Sequence, residues 1–143
     1  LETIAIGCDH AGVEMKKYLI KKLSKSKYSV IDKGTNDTSS VDYPDFAHPV
    51  AELVEKGSVK FGILICGSAN GVCMTANKHA GIRAALCWTE EVAEIVRLHN
   101  DANIICIPAR FVSKMRAGRM LDAFLNTKFE GGRHQKRIDK ITC

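Results

Sequence analysis

At 143 residues, 45% hydrophobic and 26% charged, the chain fits one soluble globular domain, residues 1–143, with a sizeable core. Its formal net charge of +5 is modest and partly local, because from Lys128 onward five Lys or Arg face only Glu130 and Asp139. No apolar run approaches a membrane span, the first residues do not read as a secretory signal, and the six cysteines show no C-x-x-C spacing, so a membrane protein and a cysteine-held metal are excluded and reduced thiols in the cytoplasm are expected.

Residues 3–8 read as a first buried strand, followed by a turn at Asp9-His10-Ala11-Gly12. An amphipathic helix comes next, with Val13, Tyr18, Leu19, Ile20 and Leu23 set among six lysines between positions 16 and 27. Tyr28 to Ile31 is a second strand, and Lys33 to Ser40 is loop by composition. Asp42-Tyr43-Pro44 starts a second helix, which Gly57 ends. Residues 61–65 are a short apolar run, the pattern of a strand buried on both faces. A fourth strand covers 81–87, and Thr89 caps the helix after it. Asn103 to Ile107 is a fifth strand, ended by Pro108. A helix from about Ser113 to Leu125 follows, then a break at 129–132 and a short basic helix.

Strand and helix alternate throughout. That pattern predicts an α/β fold: a three-layer α/β/α, Rossmann-like domain on a five-stranded parallel sheet, closed by the short C-terminal basic helix. Ligands of such sheets bind beyond the C-terminal ends of the strands. Asp9 and His10 follow strand one there, Cys66 to Gly71 follow strand three, and Arg110 follows strand five.

The central stretch runs from the apolar segment through Cys66 into Gly67-Ser68-Ala69-Asn70-Gly71. Ser68 is expected to cap a helix continuing to Lys78. Such a loop aims backbone N–H groups at an anion, and a thiol at that edge tends towards the thiolate. A buried, inert cysteine in a tight glycine turn would look the same. His10 precedes a helix and suits phosphate donation or acid–base work, or simply a cap. His99 ends a helix, where an imidazolium is also merely a favourable charge. Arg133 and Arg137 are four apart, so a helix sets both on one face. Paired guanidinium forks suit phosphate, and a solvated basic face is the plainer alternative.

Taken together, these residues carry a resemblance. The chain resembles ribose-5-phosphate isomerase type B, in the group that also holds the galactose-6-phosphate isomerase subunits. The match runs from Ile4 to about Ile141 through Gly7-Cys8-Asp9-His10-Ala11-Gly12, Asp32-Lys33-Gly34-Thr35, Asp42-Tyr43-Pro44 and Leu64-Ile65-Cys66-Gly67. It continues through Ala76-Asn77-Lys78, Gly81-Ile82-Arg83-Ala84, His99-Asn100-Asp101-Ala102-Asn103 and Phe129-Glu130-Gly131-Gly132-Arg133-His134. The resemblance implies a metal-free, cofactor-free aldose–ketose isomerase of the pentose phosphate pathway, acting on ribose 5-phosphate through an enediolate. It implies Cys66 as the base, His99 as the group that opens the sugar ring, and Ser68 with the amides of Gly67, Ala69, Asn70 and Gly71 around the developing oxyanion. Asp9, His10, Tyr43 and Asn100 would contact substrate, and Arg110, Arg133 and Arg137 would hold the phosphate. It further implies a homodimer, or a dimer of dimers, in which His99, Asn100 and Arg110 serve the partner's Cys66 site. The chain departs from the family at Ser68, where many members carry threonine, and at Ala69-Asn70.

A six-carbon substrate such as allose or galactose 6-phosphate is the alternative within this chemistry. A non-catalytic sugar-phosphate-binding module is the alternative outside it. A nicotinamide dehydrogenase is excluded because Asp9 stands where G-x-G-x-x-G needs its second glycine. No nucleic-acid partner is expected, since the basic tail has no interleaved aromatics beyond Phe129.

Overall fold

The computed structural model describes residues 2–142. Its order is β1 (Glu2–Cys8), a 3-10 turn (His10–Gly12), α1 (Val13–Leu23), β2 (Tyr28–Asp32), α2 (Pro44–Glu55), β3 (Phe61–Cys66), α3 (Asn70–Ala76), β4 (Ala84–Leu86), α4 (Glu90–Asn100), β5 (Ile104–Pro108), α5 (Lys114–Asn126) and α6 (Arg133–Asp139). The five strands form one sheet in the order β2-β1-β3-β5-β4, and every pair is parallel.

Period-two alternation along the strands sorts the core into two layers. Ile4, Ile6, Cys8, Phe61, Ile63 and Ile65 point to one face and pack on α1, α4 and α5. Ala5, Leu64 and Cys66 point to the other and pack on α2 and α3. Glycine lets α2 sit close to that second face. A Cβ at Gly7 would lie 2.5 Å from the Phe46 carbonyl oxygen.

Two expected boundaries move. The third helix was expected from Ser68 to Lys78, but α3 runs only from Asn70 to Ala76. Ala69, at its N-cap, is left-handed (φ 63°), so the chain has already turned away from Ser68. The Ser68 hydroxyl instead accepts from the Asn70 amide at 3.3 Å inside the loop. The fourth strand was expected over 81–87 and spans only Ala84–Leu86. Side chains from elsewhere take up the preceding amides: Gly81 N–H donates to Glu55 at 3.0 Å and Arg83 N–H to Asn103 Oδ1 at 2.8 Å.

The sheet fixes where a ligand can sit. β1 leads outward to β2 on one side, and the chain then restarts at β3 on the other. The crevice beyond the C-terminal ends of β1 and β3 lies at this switch of direction.

Candidate active site

At that crevice lies a cavity of about 480 Å³, lined by Asp9, His10, Tyr43, Cys66, Gly67, Ser68, Gly71 and Arg110, with Ala11 and Phe111 completing it. Each strand delivers its residues there directly. Asp9 follows β1, its amide donates to the Ile65 carbonyl at 3.2 Å, and its carboxylate accepts from Ala11 N–H at 2.9 Å. Cys66 ends β3 and is 5% exposed, so its thiol opens into the cavity from a mostly buried seat. Arg110 follows β5, and its amide donates to the Gly67 carbonyl at 3.0 Å.

Two glycines allow this closeness. A Cβ at Gly71 would lie 2.5 Å from the Tyr43 ring, and one at Gly67 would lie 3.1 Å from the Arg110 side chain. Tyr43 thus packs against the first turn of α3. His10 is held from the far loop, where the Val41 amide donates to its Nδ1 at 3.2 Å. That loop is anchored by Lys16, which is 1% exposed. Its ammonium meets the Asp32 carboxylate at 2.9 Å, the Thr35 carbonyl at 2.9 Å and Asn36 Oδ1 at 2.6 Å.

A second cavity of about 510 Å³ is lined by His99, Asn100, Arg133, His134 and Arg137, with Ile138 and Ile141. Arg97, 6% exposed, fixes the end of α4 by donating to the Asp101 carboxylate at 2.8 Å, the Ala102 carbonyl at 2.7 Å and the Thr127 carbonyl at 3.3 Å. His99 and His134 stack with centroids 4.3 Å apart and planes at 14°. Burial first, and then the charges of His99, Arg133 and Arg137, hold the His134 imidazole below its ordinary pKa and favour its neutral form.

The two cavities share no lining residue. They lie at opposite ends of the sheet. α4 runs back against the strand direction and ends at Asn100, just before Asn103, whose carbonyl accepts from Gly62 N–H at 3.0 Å near the start of β3. Cys66 is at the other end of β3, paired with Pro108. Five residue steps of strand, roughly 16 Å, separate those ends.

The predicted site residues are therefore divided. Asp9, His10, Tyr43, Cys66, Gly67, Ser68, Gly71 and Arg110 come together. His99, Asn100, Arg133 and Arg137 come together elsewhere. Arg110, grouped by the resemblance with His99 and Asn100, lies in one chain beside Cys66 and apart from those two, because β5 pairs with β3 and delivers it beside Gly67. Ala69 is fully buried, and Asn70 faces solvent outside the cavity lining. Among the described residues, Phe111 (75% exposed), Glu130 and His134 were not singled out beforehand. The only sequence signal for the last two was their place in the quoted 129–134 motif.

The other thiols are chemically sorted by burial. Burial pushes the Cys8 thiol up to about 11 and the Cys87 thiol up to about 12. Cys106, fully buried, is raised well above the ordinary range. A hydrogen bond from Cys106 lowers Cys73, which is half-buried.

Comparison with known proteins identifies the family of the chain. The profile of the Ribose/Galactose Isomerase family matches residues 4–141. A probable ribose-5-phosphate isomerase B of Mycoplasma genitalium is 47% identical over 140 residues, covering 96% of this chain and 92% of that protein. The ribose-5-phosphate isomerase B of Escherichia coli is 43% identical over 143 residues, covering 100% and 96%. Among solved structures, a ribose 5-phosphate isomerase of Thermotoga maritima superposes with TM-score 0.96 at 43% identity, covering 98% of this chain and 97% of that one. The Mycoplasma genitalium enzyme, solved with bound ribulose-5-phosphate, superposes with TM-score 0.94 at 46% identity, covering 97% and 93%. With the fold and nearly the whole length of the sequence in agreement, the chain belongs to the ribose/galactose isomerase family.

Proposed function

We propose that this chain interconverts D-ribose 5-phosphate and D-ribulose 5-phosphate through an enediolate, as a cytoplasmic enzyme of the pentose phosphate pathway. The observation that carries the reading is the seat of Cys66, a thiol opening into a cavity at the sheet's switch point with a glycine loop beside it. From aldose to ketose, the Cys66 thiolate takes the proton from C2. The C2–H electrons form the C1–C2 double bond, and the C1 carbonyl electrons move onto O1. The amides of Gly67, Ser68 and Gly71, which line the cavity, and the Ser68 hydroxyl stabilise that oxyanion. The proton returns to C1, and a proton passes from O2 to O1, which leaves the ketone at C2. Asp9, His10 and Tyr43 hold the sugar phosphate, with Arg110 beside them.

His99 opens the ring in this scheme, with Asn100 beside it and Arg133 and Arg137 on the phosphate. At the far end of the sheet they cannot reach Cys66 of their own chain. The split supports a homodimer in which each chain supplies the His99 half to its partner's Cys66 half. Exposed apolar groups fit such a contact: Trp88 is 51%, Ile95 39% and Phe111 75% exposed. Asn70 lies outside the cavity, so nothing at that departure favours a six-carbon sugar.

A coupled assay with EDTA present tests the reading. Ribose 5-phosphate should turn over, and allose 6-phosphate should be converted at least about a hundredfold less efficiently, the scale of specificity that a few pocket contacts supply. Equal rates, or no turnover of either sugar by a folded protein, would overturn it.

A further inference from the structure

His99, Glu130 and His134 converge on one point in the second cavity. Nε2 of His99 and Nε2 of His134 lie 3.9 and 3.8 Å from the same carboxylate oxygen, Oε2 of Glu130. One donor atom from each residue fits within a span of 4.8 Å. His134 is only 7% exposed, and its Nε2 has no hydrogen-bond partner among the described residues. A buried nitrogen left bare in this way calls for a ligand. The backbone enforces the arrangement. Glu130 N–H donates to the Leu98 carbonyl at 3.1 Å, and Gly131 and Gly132 turn the chain with φ of 74° and 58°. His134 N–H then donates back to the Gly131 carbonyl at 3.2 Å.

We infer that His99, Glu130 and His134 form a binding site for a divalent transition-metal ion of the zinc type, and that its occupation takes His99 out of the isomerase reaction. The second half of that statement rests on the role proposed for His99; the binding itself does not. Two imidazoles, one carboxylate and a water make the donor set of an open tetrahedral zinc site. Metal–ligand bonds of 2.0–2.2 Å bring the donor atoms to about 3.4 Å from one another, so the site must close by about 0.5 Å along each His–Glu pair and by up to about 1.4 Å across its full span. The stacked rings do not yet aim at a common point, so His99 must turn out of the stack. Its side chain is 42% exposed, which leaves it free to do so. Arg133 and Arg137 line the same cavity and repel a cation. That repulsion disfavours Mg²⁺ and Ca²⁺, which prefer oxygen donors. It leaves metals that bond strongly to imidazole nitrogen.

Cobalt(II) is the probe, because its spectrum reports its ligands. Titrated into EDTA-treated, desalted protein, Co²⁺ should bind at one equivalent per chain with the visible bands of a tetrahedral site and no intense near-ultraviolet thiolate band. His134→Gln and Glu130→Gln, each with an unchanged far-ultraviolet circular dichroism spectrum, should weaken binding at least about tenfold. His99→Asn should do the same, and excess Mg²⁺ should not displace the cobalt. Zn²⁺ should inhibit the isomerase, and EDTA should restore it. Cobalt bound as tightly by all three variants as by the parent would overturn the site. So would a thiolate band that disappears in Cys66→Ala, which would put the metal on the cysteine. Binding as expected with turnover of ribose 5-phosphate undiminished would keep the site and overturn its effect on His99, placing the failure in the functional reading.

Discussion

The amide of Val41 donates to Nδ1 of His10 across 3.2 Å and 31 residues of chain. An amide can only donate, so Nδ1 must accept, and neutral His10 carries its proton on Nε2. The ring then has one N–H left to donate. Nitrogen-15 NMR at pH 8 should find His10 as the Nε2–H tautomer. His10→Asn keeps an acceptor near Val41 and removes the Nε2–H donor. KM for ribose 5-phosphate should rise about tenfold, the scale of one hydrogen bond to a charged group, while kcat falls less. An unchanged KM would show that His10 does not hold the substrate.

Thiol chemistry should separate the cysteines. With pKa values of about 11 and about 12, Cys8 and Cys87 are thiolates in fewer than about one molecule in a thousand at pH 7.5. Raising the pH should bring them into reaction only near those values, because burial favours the neutral thiol. Iodoacetamide at pH 7.5 should label Cys66 and Cys73 and spare Cys8, Cys87 and Cys106, read by peptide mass. Saturating ribose 5-phosphate should protect Cys66 alone. Cys66→Ala should lower kcat at least about a hundredfold, the scale of a general base. A loss smaller than tenfold would remove Cys66 from that role.

Arg137 lines the far cavity from α6, one helical turn from Arg133. If it binds phosphate alike in ground and transition states, Arg137→Ala raises KM more than it lowers kcat. Unphosphorylated ribose should be a poor substrate and should lose little in the variant. Equal losses for both sugars would assign Arg137 to structure.

The opposite placement of Cys66 and His99 makes a mixing experiment decisive. Cys66→Ala and His99→Ala should each be nearly inactive alone. Unfolded and refolded together in equal amounts, about half of the dimers are mixed. A mixed dimer with shared sites has one doubly defective site and one intact site, so activity should recover to about a quarter of the parent. Recovery no higher than the two parents of the mixture, with mixed dimers confirmed by native mass spectrometry, would show that each site is built within one chain.

Much of the fold was legible because strand and helix alternate and the strands of a buried parallel sheet read as apolar runs. Cys66, Asp9 and His10 could be placed together because the switch-point rule depends only on strand order. What was hidden depended on contacts between distant residues. Nothing local says that Ala69 turns left-handed, so Ser68 looked like a helix cap. The fourth strand shortens because Asn103 and Glu55 supply acceptors from 20 and 26 residues away. The switch-point rule put Arg110 at the Cys66 end, but its contact with Gly67 is set by β3–β5 pairing. Glu130 and His134 meet His99 only after Gly131 and Gly132 fold the chain back.

Ala69 shows how stability and rate can be governed separately. Its left-handed backbone (φ 63°) costs roughly 1–2 kcal/mol relative to glycine. Its methyl is fully buried, which returns about 0.8 kcal/mol, and alanine restricts the unfolded chain by roughly 0.5–1 kcal/mol more than glycine does. The two sides nearly cancel, so Ala69→Gly should leave the melting temperature almost where it was. The loop between Cys66 and α3 would nevertheless gain a free hinge, and Gly67 and Ser68 would no longer be held in one arrangement before the substrate arrives. A screen for thermal stability would pass this substitution, and a screen for turnover would reject it.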